Sequence, residues 1–97
     1  VMQNGYPTEE ELQAIKGVNC LPVGLEGMVK LISEAWNHCY GRLAFDGEEL
    51  SLVTGGWSGN EEVIIALMEN AAFWALFWDR SERGGRFWFK KSQYAVE

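Results

Sequence analysis

Histidine occurs once in this chain, at His38, and cysteine twice, at Cys20 and Cys39. The cysteines lack CxxC spacing, and with one histidine they make no convincing zinc set. No metal or cofactor is therefore expected. A reduced cytosolic protein with two buried thiols is the default expectation, while a single Cys20–Cys39 disulfide stays open on sequence grounds. No apolar run is long enough to span a bilayer, and no stretch reads as a signal peptide. Internal repeats and low-complexity segments are absent too. Basic charge is scarce: the formal net charge is −6. That disfavours general nucleic-acid binding, because phosphate contacts want a net positive surface.

What the chain does have is aromatic bulk. It carries five tryptophans in 97 residues, and large aromatics let a short chain build either a core or a sticky surface. The length fits one domain over residues 1–97. Charge is unevenly placed. Glu9, Glu10, Glu11, Glu48, Glu49, Glu61 and Glu62 precede the last predicted hairpin, whereas Arg80, Arg83, Arg86, Lys90 and Lys91 lie within it. Such asymmetry can orient a partner, but the expected reading is a solvated hairpin with solubilising charges.

The stretch around which the chain is organised is Thr54-Gly55-Gly56-Trp57-Ser58-Gly59-Asn60-Glu61-Glu62. It reads as a strand end, a glycine turn and a helix start. Ser58 and Glu61 have capping-box spacing, and Asn60 offers an alternative cap in a later register. Val63, Ile64, Leu67, Met68 and Ala71 then recur at helical spacing. An anion site at this helix start is opposed by Glu61 and Glu62, and no lysine follows the glycines as in a P-loop. A nucleophile elbow at Ser58 is opposed by spacing: Asn60 stands fifth in G-x-S-x-G, and His38 precedes the serine.

Taken in order, residues 1–6 show no pattern and read as a frayed end. Thr8 and Glu11 form a capping box for a first helix, with Leu12 and Ile15 inward and Gly17 at its end. Residues 18–23, with Pro22, read as a connector. A second helix follows, with Leu25, Met28, Val29, Ile32 and Trp36 on one stripe, flanked by Leu31 and Ala35. His38 near its end reads as a cap rather than a ligand. Residues 40–45 and 48–54 then form a hairpin across Asp46-Gly47, a register that pairs Leu43 with Leu50. Asn70 is a candidate left-handed helix stop. Residues 72–78 and 86–91 read as a second hairpin through Gly84-Gly85, with Asp79 opposite Lys90. Its second face, with Phe73, Phe77 and Trp88, requires helices on both sides or an open aromatic surface. A crossover third helix would make the third strand run parallel to the second. One end of the sheet then gathers Trp57, Asn60, Tyr40, Arg83 and Arg86.

Thr54-Gly55-Gly56-Trp57-Ser58-Gly59-Asn60-Glu61, followed by an aromatic strand and Arg83-Gly84-Gly85, resembles a group of small uncharacterised phage and prophage proteins. The start Thr8-Glu9-Glu10-Glu11-Leu12 is similar as well, and the likeness runs over most of residues 7–89. The resemblance implies a setting, that of a short acidic protein in the bacterial host cytoplasm that binds a host or phage protein.

The expected fold is α+β, of order α-α-β-β-α-β-β: two hairpins joined by a helix make a four-stranded sheet after two N-terminal helices. The expected function is a non-enzymatic protein-binding module, a phage accessory or counter-defence factor, with its site at Trp57, Arg80, Arg83, Arg86 and Trp88. Tryptophan and arginine most often anchor interfaces; the competing reading is that Trp57 and Trp88 are core and the arginines keep an edge hairpin soluble. The alternatives are a small hydrolase or transferase using Ser58, His38 or Cys39, and a self-associating phage structural subunit.

Overall fold

The computed structural model describes residues 5–91, and of Cys20 and Leu21 the backbone alone. The fold is α+β: α1 (Glu9–Gly17), α2 (Cys20–Ala35), β1 (Arg42–Phe45), β2 (Glu49–Val53), α3 (Ser58–Glu69), α4 (Ala71–Phe77), β3 (Trp78–Glu82) and β4 (Arg86–Lys90). One antiparallel sheet has the strand order β1-β2-β4-β3.

α1 begins as its sequence requires. The Thr8 hydroxyl accepts from the Glu11 N–H at 3.1 Å, and the Glu11 carboxylate accepts from the Thr8 N–H at 2.8 Å. Both orphan donors of the first turn are thereby satisfied. α2 incorporates the expected connector. Cys20–Val23 make a short helical piece, which Gly24 breaks at φ 68°, a conformation that favours glycine. Beyond the break, Leu25, Met28, Ile32, Ala35 and Trp36 are buried along one stripe, as helical periodicity demands. α3 buries Val63, Ile64, Ala66 and Leu67 but leaves Met68 exposed, so Met68 is not on its inner face.

The largest departure from expectation is α4. Residues 71–77 are helical, so two helices, not one, join the hairpins, and only Trp78–Glu82 is a strand. Asn70 is not a left-handed stop, since its φ is −88° and its side chain accepts from the Phe73 N–H. It therefore caps α4, and its amide also donates to the carbonyls of Ile15 and Val18 at 3.0 Å each. Phe73 and Phe77, four residues apart, share one helical face and are buried, which outweighs the period-two reading of the same stretch.

Both turns shift register. Phe45 faces Leu50 and Leu43 faces Leu52. The loop centres on Gly47 and Glu48, because the Asp46 carboxylate accepts from the N–H groups of Glu48 and Glu49 at 2.8 Å each. A shift of two leaves every side chain on its original face. In the second hairpin Arg83-Gly84-Gly85 forms a three-residue loop that pairs Glu82 with Arg86, and a bulge lies at Asp79. Asp79 still reaches Lys90, at 3.7 Å. β3 runs in the same direction as β2, but β4 lies between them.

The sheet has two unlike faces. Leu50, Leu52 and Phe89 are buried against the helices, with Leu43, Phe45 and Phe87 packed around them. Phe73 of α4 meets Phe89 with ring centroids 5.2 Å apart. The opposite face presents Arg42, Ala44, Glu49, Ser51, Val53, Arg86, Trp88, Lys90, Arg80 and Glu82, and no helix among the described residues covers it.

Candidate interaction face

The glycine-rich stretch carries strand β2 into α3 and ties several chain segments together. Ser58, Asn60 and Glu61 do not cap α3. Its N-cap is Trp57, which makes no side-chain cap bond. Asn60 is buried one turn inside the helix and points away from the helix's own amides. Its oxygen accepts from the Asn37 N–H at 2.8 Å, and its amide donates to the carbonyls of Asn37 and Thr54 at 3.2 Å each. The Ser58 hydroxyl instead donates to the Tyr6 hydroxyl at 3.3 Å. Glu61 is exposed. Spacing alone could not show that a packed polar bracket would outcompete a local cap.

Asn37 answers Asn60. Its side-chain oxygen accepts from the N–H groups of Cys39 and Tyr40, and its amide donates to the Gly5 carbonyl at 3.1 Å. The Trp57 indole donates to the same Gly5 carbonyl at 2.8 Å. Gly5 and Tyr6 are thus anchored rather than frayed, and residues 1–4 lie outside the described residues. Tyr6 and Tyr40 pack on Trp57 with ring centroids 4.8 and 4.6 Å away. Trp57 is accordingly half-buried.

The expected meeting of the sheet ends is present. The Thr54 N–H donates to the Gly85 carbonyl at 2.9 Å, which places the Arg83-Gly84-Gly85 loop against the end of β2. Arg80, Arg86 and Trp88 lie on the open face. The Arg80 guanidinium sits 4.1 Å from the Trp88 ring centre, a cation–π contact. Arg86 and Trp88 line a shallow groove of about 520 Å³ together with Tyr40, Arg42, Ser51 and Val53. Arg83 stands in the loop, exposed and outside the groove, and Trp57 sits behind Tyr40. The expected set therefore divides into three residues on the face and two at its margin. Sequence reading missed Arg42 and Ser51. Period-two alternation from Leu43 and Leu52 was the signal that places both outward.

No hydrogen bond joins Ser58, His38 and Cys39, the groups considered for catalysis, to one another among the described residues. His38 Nε2 donates to the Ser33 carbonyl at 3.0 Å, which makes His38 a C-terminal cap on α2. Ser58 is engaged by Tyr6. Cys39 is an exposed free thiol, neither buried nor paired, and the Cys20 side chain lies outside the described residues. No group of His, Cys, Asp and Glu suited to a metal ion occurs among the described residues. No helix among them is long and apolar enough to cross a membrane.

Compared with known protein families, curated proteins and solved structures, the chain matches none.

Proposed function

We propose that this chain is a non-enzymatic protein-binding module that engages its partner through the open face of the sheet. The observation that carries the reading is the face itself. A half-buried tryptophan, Trp88, lies beside Arg80 and shares a groove with Arg42 and Arg86, on a surface that no helix among the described residues covers. Tryptophan and arginine dominate interface hot spots because they join large contact area to directed polar groups. The engagement of Ser58 and His38 in structural hydrogen bonds also favours binding over hydrolysis. The resemblance to phage and prophage proteins supports a role as an accessory or counter-defence factor acting on a host or phage protein in the bacterial cytoplasm.

The test is capture of a partner from bacterial lysate by the wild-type chain and by an Arg83→Glu/Arg86→Glu variant, with melting temperature followed in parallel. Exposed charges of this kind cost within about ±0.5 kcal/mol. Unchanged melting with lost capture supports the reading, and unchanged melting with full capture moves the interface elsewhere.

A second reading, a self-associating structural subunit, is favoured by Ile65 and Met68. They expose 53% and 47% of their surface side by side on α3. Sedimentation velocity decides it, since a monomer at high concentration removes that reading.

A further inference from the structure

The protein-binding reading leaves the partner's chemistry open, and the charges on the open face narrow it. Arg42 and Arg86 flank Val53 in one cross-strand row. Neighbouring strands lie roughly 4.8 Å apart, so the two arginine backbones are about 10 Å apart. Neither arginine forms an ion pair among the described residues, whereas Asp79 holds Arg80 at 3.4 Å and Lys90 at 3.7 Å. The uncommitted charge that lines the groove is thus two guanidiniums, while Glu49 and Glu82 lie on the same face outside it. Each carries a planar fork that matches a carboxylate. Both open on the groove that also receives Ser51 and Tyr40, the latter 61% exposed. The chain as a whole is acidic, at −6, but the groove lining holds two arginines and no carboxylate, so the groove is complementary to negative charge.

Resting on the protein-binding reading, we infer that the face takes an extended acidic peptide segment. Two of its carboxylates, two or three residues apart, seat on Arg42 and Arg86. An extended chain advances about 3.3–3.6 Å per residue, so that separation matches the arginine spacing once both side chains reach. Val53 supplies an apolar floor between the two guanidiniums, and Trp88 with its stacked Arg80 forms one wall. A single-stranded nucleic acid fits the face less well. Base stacking needs open rings, but Arg80 lies over Trp88 and Trp57 covers one side of Tyr40.

The experiment is fluorescence anisotropy on the full chain with three labelled probes of equal length: a peptide of alternating glutamate and glycine, its glutamine counterpart, and a single-stranded oligonucleotide. The glutamate peptide is expected to bind at low salt and to weaken as salt screens the charges, while the glutamine peptide does not bind. Arg42→Gln and Arg86→Gln should each weaken binding by about tenfold, with melting temperatures unchanged. Lys30→Gln, on the outer side of α2, should bind like the wild type. The inference is overturned if the glutamate peptide fails to bind, if it binds the double arginine variant as well as the wild type, or if the oligonucleotide binds more tightly than the peptide. Lysate capture lost in Arg83→Glu/Arg86→Glu, with no peptide binding, removes this inference and leaves the protein-binding reading standing. Capture that survives that variant moves the reading off this face, and the peptide titration still decides the inference by itself.

Discussion

Asn60 joins three backbone groups that come from two other segments, and all of this is buried. A buried donor or acceptor left without a partner costs about 1–3 kcal/mol. Asn60→Ala would leave the Asn37 N–H and the Thr54 carbonyl without that side chain, and it would loosen the end of α2 from the start of α3. A loss of about 3 kcal/mol is expected, read as a lower urea midpoint with an unchanged slope; a loss under about 0.5 kcal/mol would mean that the bracket is ornamental. The adjacent glycines divide in the same way. Gly55 and Gly56 both have positive φ, 68° and 75°. A Cβ on Gly55 would run into the Tyr40 carbonyl, whereas one on Gly56 meets open space. Gly56→Ala should therefore cost only the left-handed strain, about 1–2 kcal/mol. Gly55→Ala should cost clearly more, and equal midpoints for the two variants would contradict the close approach of the Tyr40 backbone.

At the scale of elements, the β1–β2 turn has a pH signature. Two backbone N–H groups, from Glu49 and Glu48, hold the Asp46 carboxyl below the usual aspartate range. Hydrogen bonds to the charged form favour that form. A folded-state pKa below the unfolded one contributes stability above the unfolded value and loses it as pH falls through the folded value. Asp46→Ala should thus melt lower than the wild type at neutral pH, and the gap should close on acidification below the ordinary aspartate range. A gap that is constant with pH would show that the turn does not use the charge. This turn was half legible in the sequence: Asp46-Gly47 marks a hairpin, but the side chain of Asp46 moves the loop centre one residue on. α1 was fully legible, because Thr8 and Glu11 are a local signal satisfied locally. α4 was not. Its residues alternate as Trp74, Leu76 and Trp78 and also repeat as Phe73 and Phe77, so periodicity alone supports strand and helix alike. The deciding contact is the Asn70 cap, whose amide is committed to Ile15 and Val18, 55 and 52 residues away in sequence. Such long-range partners cannot be read from spacing.

On the scale of the whole molecule, the described helices pack on one side of the sheet and leave the other uncovered. Sequence alternation located both faces of β1 and β2, yet it left open whether Trp88 faced core or solvent, because the run of residues 72–78 reads as a strand that puts Phe73 and Phe77 on the same face as Trp88. Once that run folds into α4, its rings cover β4 from the inner side, with Phe73 and Trp74 lying 5.2 and 5.5 Å from Phe89. Trp88 is thereby left outward. Two adjacent residues of β4 then test the two-layer architecture and the availability of the open face together. Phe89 is fully buried, and Phe89→Ala should cost about 3–5 kcal/mol through lost transfer energy and an unfilled cavity. Trp88 is partly buried and contributes mainly a cross-strand contact and the Arg80 cation–π pair, so Trp88→Ala should cost only about 1 kcal/mol. Urea unfolding of the two variants measures the contrast directly. Comparable losses would mean that both faces of the sheet are packed, and the open face would then have no free surface to offer a partner.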